Sequence, residues 1–166
     1  GTSSTDSRGI LARFYTKNGA PRGQVVQANK HKDPSQYDGN VAVDAQGNYF
    51  VAWSQVGDDR NSDVFVQRFK VTGQALGAAV RVSVDDPTAE VPPSDAMPAI
   101  ATTPTGGFVV AWVRLILPSA TSEGTDPEIW FRRFDKSAKA LGAPAKLNSS
   151  LVRGQRPSLC VSKTGQ

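Results

Sequence analysis

The chain has 166 residues, a formal charge of +4 and a pI of about 9.4. Its 39% apolar and 20% charged residues exclude an intrinsically disordered protein and are typical of one loop-rich globular domain. Basic and acidic residues are interspersed and no apolar run is long enough for a transmembrane helix, so neither nucleic acid nor a membrane span is expected.

Residues 1–8 are small and polar, and we expect them to form a flexible lead-in. From residue 9 onward, short segments rich in Val, Ile, Phe, Tyr and Trp alternate with Gly, Pro, Asn and Asp. This pattern predicts strands joined by turns, and no segment keeps a helical period. We therefore predict one all-β domain over residues 9–166.

The strand-like segments recur in a fixed order. GNYFVAW at residues 47–53 is repeated as GGFVVAW at residues 106–112, so that Trp53 and Trp112 are 59 positions apart. An aromatic segment with an Arg-Phe pair follows, then a turn with a glycine; the pairs begin at Arg13, Arg68 and Arg133, and the glycines are Gly23, Gly77 and Gly142. The repeat divides the domain into a partial unit over 9–39, units over 40–97 and 98–156, and a partial unit over 157–166.

Units of about 50 to 65 residues with four strands each predict the antiparallel four-stranded blades of a β-propeller. In GGFVVAW, Phe108, Val110 and Trp112 share one face, and the residues between them are also apolar. Stacked blades bury both faces, whereas the strands of a β-sandwich, the alternative fold, bury one face and expose the other. We expect Trp53 and Trp112 to lie in the core between blades.

The two partial units together lack only an FVVAW-type strand. We interpret the chain as a fragment of a longer repeat protein, a shortened form of one, or a partial propeller that completes its blades by oligomerising. In each case the segment PSLCVSKTG at residues 157–165 needs a partner strand.

The succession GGFVVAW, IWFRRFD, ALGAPAKLN and RPSLCV resembles repeats of large secreted or surface proteins of bacteria. The resemblance spans nearly all of residues 9–166 and implies an extracellular or cell-surface propeller with a binding or adhesive role. Two features depart from those repeats: Ala138 stands in place of a turn glycine, and the hairpin after Trp112 is enlarged.

The recurring arginines Arg13, Arg68 and Arg133 are candidates for equivalent anion or sugar sites, one per unit. The alternative, which we favour, is a structural role in which each arginine hydrogen-bonds a neighbouring carbonyl or carboxylate. A residue that every unit requires is usually required by the shared fold.

The loop GDDRNSD offers oxygen ligands for Ca²⁺ from four side chains, which are Asp58, Asp59, Asn61 and Asp63. The residue order of an EF-hand is absent, and the alternative is a solvated acidic turn. The matching loop SEGTDPE of the next unit is also acidic. No other cofactor is expected.

The hairpin after Trp112 is six residues longer than the one after Trp53 and begins with Leu115, Ile116 and Leu117. Apolar residues on a long hairpin predict a contact surface for another blade, another chain or a partner. The alternative is a loop that packs back on its own unit.

No nucleophile elbow, zinc-protease or phosphate-loop motif is present. His31, the only histidine, lies in a loop, and Cys160 is expected to be a small buried residue equivalent to Ala101. We therefore expect a noncatalytic binding or adhesive module with a glycan or protein ligand. The alternatives are part of a propeller glycosidase or sialidase-like enzyme, and a structural spacer.

Overall fold

The computed structural model describes residues 9–29, 35–57, 61–116, 118, 127–147 and 156–165. These residues contain ten strands and no helix: β1 Leu11–Tyr15, β2 Pro21–Gln27, β3 Gln36–Val43, β4 Tyr49–Val56, β5 Ser62–Phe69, β6 Val80–Arg81, β7 Ser94–Thr102, β8 Phe108–Leu115, β9 Glu128–Phe134 and β10 Ala145–Lys146. All pairings are antiparallel, so the prediction of an all-β antiparallel chain is confirmed. In the part of the chain just listed, no helix suited to crossing a membrane is present.

The strands form three antiparallel groups in chain order. β1 and β2 make the first hairpin, β3-β4-β5-β6 the second sheet, and β7-β8-β9-β10 the third sheet. The two FVVAW-type segments are β4 and β8, and each lies beside the Arg-Phe strand of its own unit, as expected.

The two sheets begin at Gln36 and Ser94, four residues before the predicted unit boundaries at 40 and 98. A register irregularity in β3 and β7 explains the difference, because the strand continues on the N-terminal side of it. At these irregularities Asp38 and Met97, 59 positions apart, have positive φ values of 54° and 56°.

Consecutive groups pack face to face. We call the face that carries the tryptophan the front face of a sheet, and the opposite face its back face. The front face of the third sheet packs against the back face of the second in one buried cluster: Phe50, Ala52, Val64, Val66, Val82, Ile100, Phe108, Val110, Trp112 and Phe134. The front face of the second sheet packs against the first hairpin through Phe14, Ala28, Val51, Trp53 and Phe69. Trp53 and Trp112 are thus buried between consecutive groups, as predicted.

The segment 156–165 contacts the back face of the third sheet through Leu159. Leu159 packs there against Ala111, Val113 and Ile129, but the segment pairs with no strand of the described residues. Cys160 is exposed, so the prediction that it is buried is wrong. Its counterpart Ala101 is buried because β7 pairs with β8, whereas residues 157–161 have no such neighbour in the described chain.

Candidate functional site

The three arginines do not occupy equivalent positions. In each unit the turn after the aromatic strand is closed by a backbone hydrogen bond between residues four apart; the donors are Thr16, Lys70 and Asp135 and the acceptors Ala20, Gln74 and Lys139. Two residues before each donor stand Phe14, Arg68 and Arg133. The expected equivalence of Arg13 with Arg68 and Arg133 is therefore wrong by one residue.

Arg68 connects the second sheet to the third. Its guanidinium donates hydrogen bonds to the backbone carbonyl oxygens of Lys136 and Ser137, the latter at 3.1 Å. The side chain is half-buried, and this burial lowers the pKa of Arg68 while the nearby Asp135 carboxylate opposes the shift. These contacts support the structural role, since they attach the turn after β9 in the third sheet to strand β5 of the second sheet.

Arg133 has the same place in the third sheet but different surroundings. Its side chain is exposed, and in the described part of the chain no turn carbonyl accepts from it. It lines a cavity of about 360 Å³, which we call the third-sheet pocket. The wall of this pocket carries three hydroxyl groups, those of Thr103, Thr105 and Ser137, and the exposed apolar side chain of Leu141.

A second cavity, the second-sheet pocket, is the copy of this site one unit earlier. Its volume is about 400 Å³, and it is lined by Asp44, Gln46, Arg68 and Leu76. These residues correspond by position to Thr103, Thr105, Arg133 and Leu141. The third sheet supplies Lys136 to the same cavity, and its turn engages Arg68. One guanidinium is therefore held by protein carbonyls, and its copy faces an open pocket.

Arg13 lies on β1, where it is exposed and its guanidinium is 6.0 Å from the centre of the Tyr15 ring. It borders a groove of about 410 Å³ between β1 and the second sheet. This groove is mostly apolar, with Leu11 and Val41 among its exposed side chains. The sequence pattern did not predict it, because the groove forms only when the hairpin packs on the sheet.

The acidic loop is divided by the structure. Asp58 and Asp59 lie outside the described residues, and the backbone oxygen of Asn61 accepts a 2.7 Å hydrogen bond from Gly57 N. Asp63 Oδ1 accepts from Arg81 at 2.6 Å and from the Ser83 hydroxyl at 2.8 Å. Within the described ranges, no three acidic, His or Cys side chains come close enough to hold a metal, and calcium stays a prediction.

The enlarged hairpin is partly described. Leu115 ends β8 and packs, half-buried, against the cluster on the back face of its own sheet. Ile116 is also half-buried, and Leu117 lies outside the described residues. Leu115 thus packs on its own unit, as expected from the alternative interpretation in which the hairpin folds back rather than forming a contact surface.

A buried ion pair was missed at the sequence level. Asp95 and Arg114 form two hydrogen bonds of 2.8 and 2.7 Å, and Trp112 Nε1 donates to the same carboxylate at 2.8 Å. Burial raises the pKa of the Asp95 carboxyl, and the hydrogen bonds from Arg114 and Trp112 act in the opposite direction. Only the strand register, which places Asp95 opposite Arg114, reveals the pair.

The Asp95–Arg114 pair is closed to solvent and its groups satisfy one another, which suits a structural role. The third-sheet pocket, in contrast, presents the exposed Arg133 cation beside hydroxyl groups, and its lining also includes the Asp135 carboxylate and the Lys136 ammonium group. No protein-family model and no curated protein matches this chain. A functional conclusion therefore has to be drawn from the chemistry of the pocket itself.

Proposed function

We propose that this chain is a noncatalytic binding module of an exported bacterial protein, that its sheets are consecutive β-propeller blades, and that the third-sheet pocket binds an acidic glycan. The observation that carries the proposal is the third-sheet pocket, in which the exposed Arg133 guanidinium lies beside hydroxyl groups. At the matching position of the second sheet, Arg68 donates to the carbonyl oxygens of Lys136 and Ser137.

The arrangement of the sheets supports blades rather than a sandwich. β4 and β5 of the second sheet are apolar on both faces, and each face packs on a neighbouring group through its own buried cluster. The two clusters use the same positions of the repeat, since Trp53 and Phe69 are matched by Trp112 and Phe134. A two-layer sandwich gives each sheet only one buried face.

The chemistry of the third-sheet pocket suits a carboxylated or sulfated sugar. A guanidinium binds such anions through two parallel hydrogen bonds, which are stronger than bonds between neutral groups. The hydroxyls of Thr103 and Thr105 hydrogen-bond each other, and Ser137 Oγ donates to Asp135. Their remaining lone pairs can accept from the hydroxyls of a sugar ring, and Leu141 offers an apolar surface to its C–H face. The net charge of +4 attracts an acidic ligand.

The test is a glycan array followed by titration calorimetry with an acidic oligosaccharide and its neutral counterpart. We expect Arg133→Gln to weaken acidic-glycan binding by about 10- to 100-fold, the loss expected for charge-assisted hydrogen bonds of roughly 1.5–3 kcal/mol. The matched control is Arg13→Gln, which removes the same charge from an exposed strand position far from the pocket in sequence. It is expected to change the affinity less than about twofold.

Three outcomes contradict the proposal. Equal losses in the two variants mean nonspecific attraction to a basic surface. Turnover of a chromogenic glycoside that is abolished by an Asp or Glu substitution supports the propeller-enzyme alternative instead. Absence of both binding and turnover leaves the spacer role.

A further inference from the structure

The second-sheet pocket and the third-sheet pocket share a wall. Both cavities are lined by Thr105 and Lys136, which lie in the two hairpin turns at one end of the third sheet. These turns, before β8 and after β9, lie side by side because Phe108 pairs with Phe134. A ligand that fills one pocket therefore reaches the other by passing over Thr105 and Lys136.

The second-sheet pocket lies between two described units. Its walls come from both sheets, since Gln46, Arg68 and Leu76 belong to the second sheet and Thr105 and Lys136 to the third. It remains a cavity of about 400 Å³ although the turn of the third sheet engages Arg68, and this volume is in the range of sites for small ligands. Packing of the next unit thus leaves this pocket open.

The interface before it has a different residue at the position of the arginine. Phe14 of the first hairpin corresponds to Arg68, and its ring stacks on the ring of Tyr49 with 3.8 Å between the centres. The same ring lies 5.9 Å from that of Phe69. An apolar ring therefore occupies this position in the first interface, whereas the second-sheet pocket has a cation there.

The charges along the two pockets favour an anionic ligand. Arg68 lines the second-sheet pocket, Arg133 the third-sheet pocket and Lys136 both. In the described chain none of these three cations forms an ion pair with a carboxylate. The two carboxylates in the walls, those of Asp44 and Asp135, each accept three hydrogen bonds from their own turns. The three cations are thus available to an acidic ligand, with Lys136 between the two arginines.

We propose that the two pockets are adjacent subsites for one glycan chain that carries an acidic group on more than one sugar. Arg133 binds one acidic group, Lys136 and Arg68 bind another, and Thr105 offers its hydroxyl oxygen to both subsites. Arg68 donates to two carbonyl oxygens, and the remaining N–H groups of its guanidinium can donate to the ligand. The inference rests on the proposed function and adds that the ligand is a polyanionic chain.

The probes are galacturonic acid oligomers of two and six sugars, in which every sugar carries a carboxylate. They are titrated into the full chain by calorimetry. We expect one hexamer to bind per chain, at least about 30-fold more tightly than the dimer, because the second contact becomes intramolecular. Binding in several registers accounts for only about fivefold of this gain. Two hexamers per chain would mean independent pockets and would overturn the inference.

The second-sheet pocket is tested by Gln46→Glu, which places a carboxylate in that pocket alone. Because the new charge repels an acidic sugar, we expect the hexamer to lose most of its advantage and to bind within about fivefold of the dimer. The matched control is Gln74→Glu, at an exposed position of the turn after β5 that lines neither pocket. It should change hexamer affinity by less than about twofold. Equal losses in the two variants contradict the inference.

The shared wall is tested by Lys136→Gln, which keeps the backbone oxygen that accepts from Arg68. We expect this variant to weaken hexamer binding by about three- to tenfold. Lys139→Gln removes the same charge from an exposed residue of the same turn that lines neither pocket, and it should have less than about a twofold effect. Losses of the same size in both variants assign the effect to net charge and contradict the shared wall.

The remaining outcomes separate this inference from the proposed function. If both oligomers bind equally well and Arg133→Gln alone weakens them, the third-sheet pocket acts by itself, so the inference fails and the proposed function stands. Binding of neither oligomer overturns the inference, while the glycan array still decides the proposed function. A single-stranded DNA of six nucleotides has a similar charge. If it binds as tightly as the hexamer, charge alone is recognised and the assignment to a glycan chain fails.

Discussion

The second and third sheets are two copies of one unit, and they differ in what covers their front faces. Their tryptophans, Trp53 and Trp112, are equally buried, because the third and fourth strands of the preceding unit suffice to cover the middle of the sheet. Val41 and Ile100 are not equally buried, because β3 and β4 of the preceding unit pack against the strand of Ile100, whereas no equivalent strands among the described residues pack over Val41. Burial in such a stack therefore depends on which strands of the neighbour are present.

The polar layer at one end of the sheets differs as well. Gln36 pairs in register with Gln55 in the second sheet, where the third sheet has Asp95 opposite Arg114. Arg114 also donates to the backbone oxygen of Val84 at 2.8 Å, and it therefore ties the connection after the second sheet to the third sheet. The same position of the fold thus accepts a pair of amides or a buried ion pair.

Replacing one member of the ion pair gives the largest expected effect. Asp95→Ala leaves the Arg114 guanidinium buried with no carboxylate, and we expect a loss of about 3–5 kcal/mol in the free energy of unfolding, measured by urea denaturation. The double variant Asp95→Leu with Arg114→Met removes both charges, and it should recover most of the loss. A loss below about 1 kcal/mol for Asp95→Ala would mean that water or another group solvates Arg114.

The difference between the first strands is tested by the same truncation at matched positions. Ile100→Ala removes buried methyl groups between two sheets, and we expect a loss of about 2–5 kcal/mol in the free energy of unfolding. Val41→Ala at the equivalent exposed position should cost less than about 0.5 kcal/mol. Equal losses in urea denaturation would show that Val41 is covered in solution, and that the two front faces are alike.

Much of the architecture was predictable because local patterns determine it. The two-sided apolar pattern around Trp53 and Trp112 predicted strands covered on both faces, and the turn chemistry predicted their antiparallel connections. The pairing of Asp95 with Arg114 depends on register across 19 residues, and register is not visible in composition. The alignment of Arg13 with Arg68 failed because an Arg-Phe dipeptide is a weaker marker of position than the hydrogen-bonded turn that follows it.

The pockets were predictable only in part. The sequence identified Arg68 and Arg133 as recurring residues, but their different surroundings depend on whether the turn of another unit reaches the guanidinium. Two of the hydroxyls around Arg133, those of Thr103 and Thr105, come from the turn between β7 and β8, and only the strand pairing brings that turn beside the one that follows Arg133. The groove between β1 and the second sheet had no local signal in the sequence, since its walls come from two groups of strands that pack in space.

The smallest expected effect distinguishes the turns that join the third and fourth strands. Asp135 begins this turn in the third sheet, and its Oδ1 accepts hydrogen bonds from Ser137 N, Ser137 Oγ and Lys139 N at 2.8, 2.6 and 2.9 Å. The Ser137 hydroxyl is the main cause that lowers the pKa of Asp135, and backbone bonds add to it. Lys70 occupies the same position in the second sheet, and its side chain cannot accept hydrogen bonds.

Because folding lowers the pKa of Asp135, the ionised carboxylate favours the folded state at pH values above its unfolded pKa of about 3.9. That contribution is lost as the pH falls through the lower pKa of the folded state. We expect Asp135→Asn to lower the Tm at pH 7 by less than Asp95→Ala or Ile100→Ala does. The difference in Tm between Asp135→Asn and the wild type should shrink as the pH falls below about 4. Lys70→Asn, the control at the matched position, changes no group that titrates in this range, so its Tm difference should stay constant. The contrary result is a Tm difference for Asp135→Asn that is the same at pH 7 and at pH 2.5. It would show that the charge of Asp135 does not stabilise its turn, and that the turns beginning at Asp135 and Lys70 do not differ in this respect.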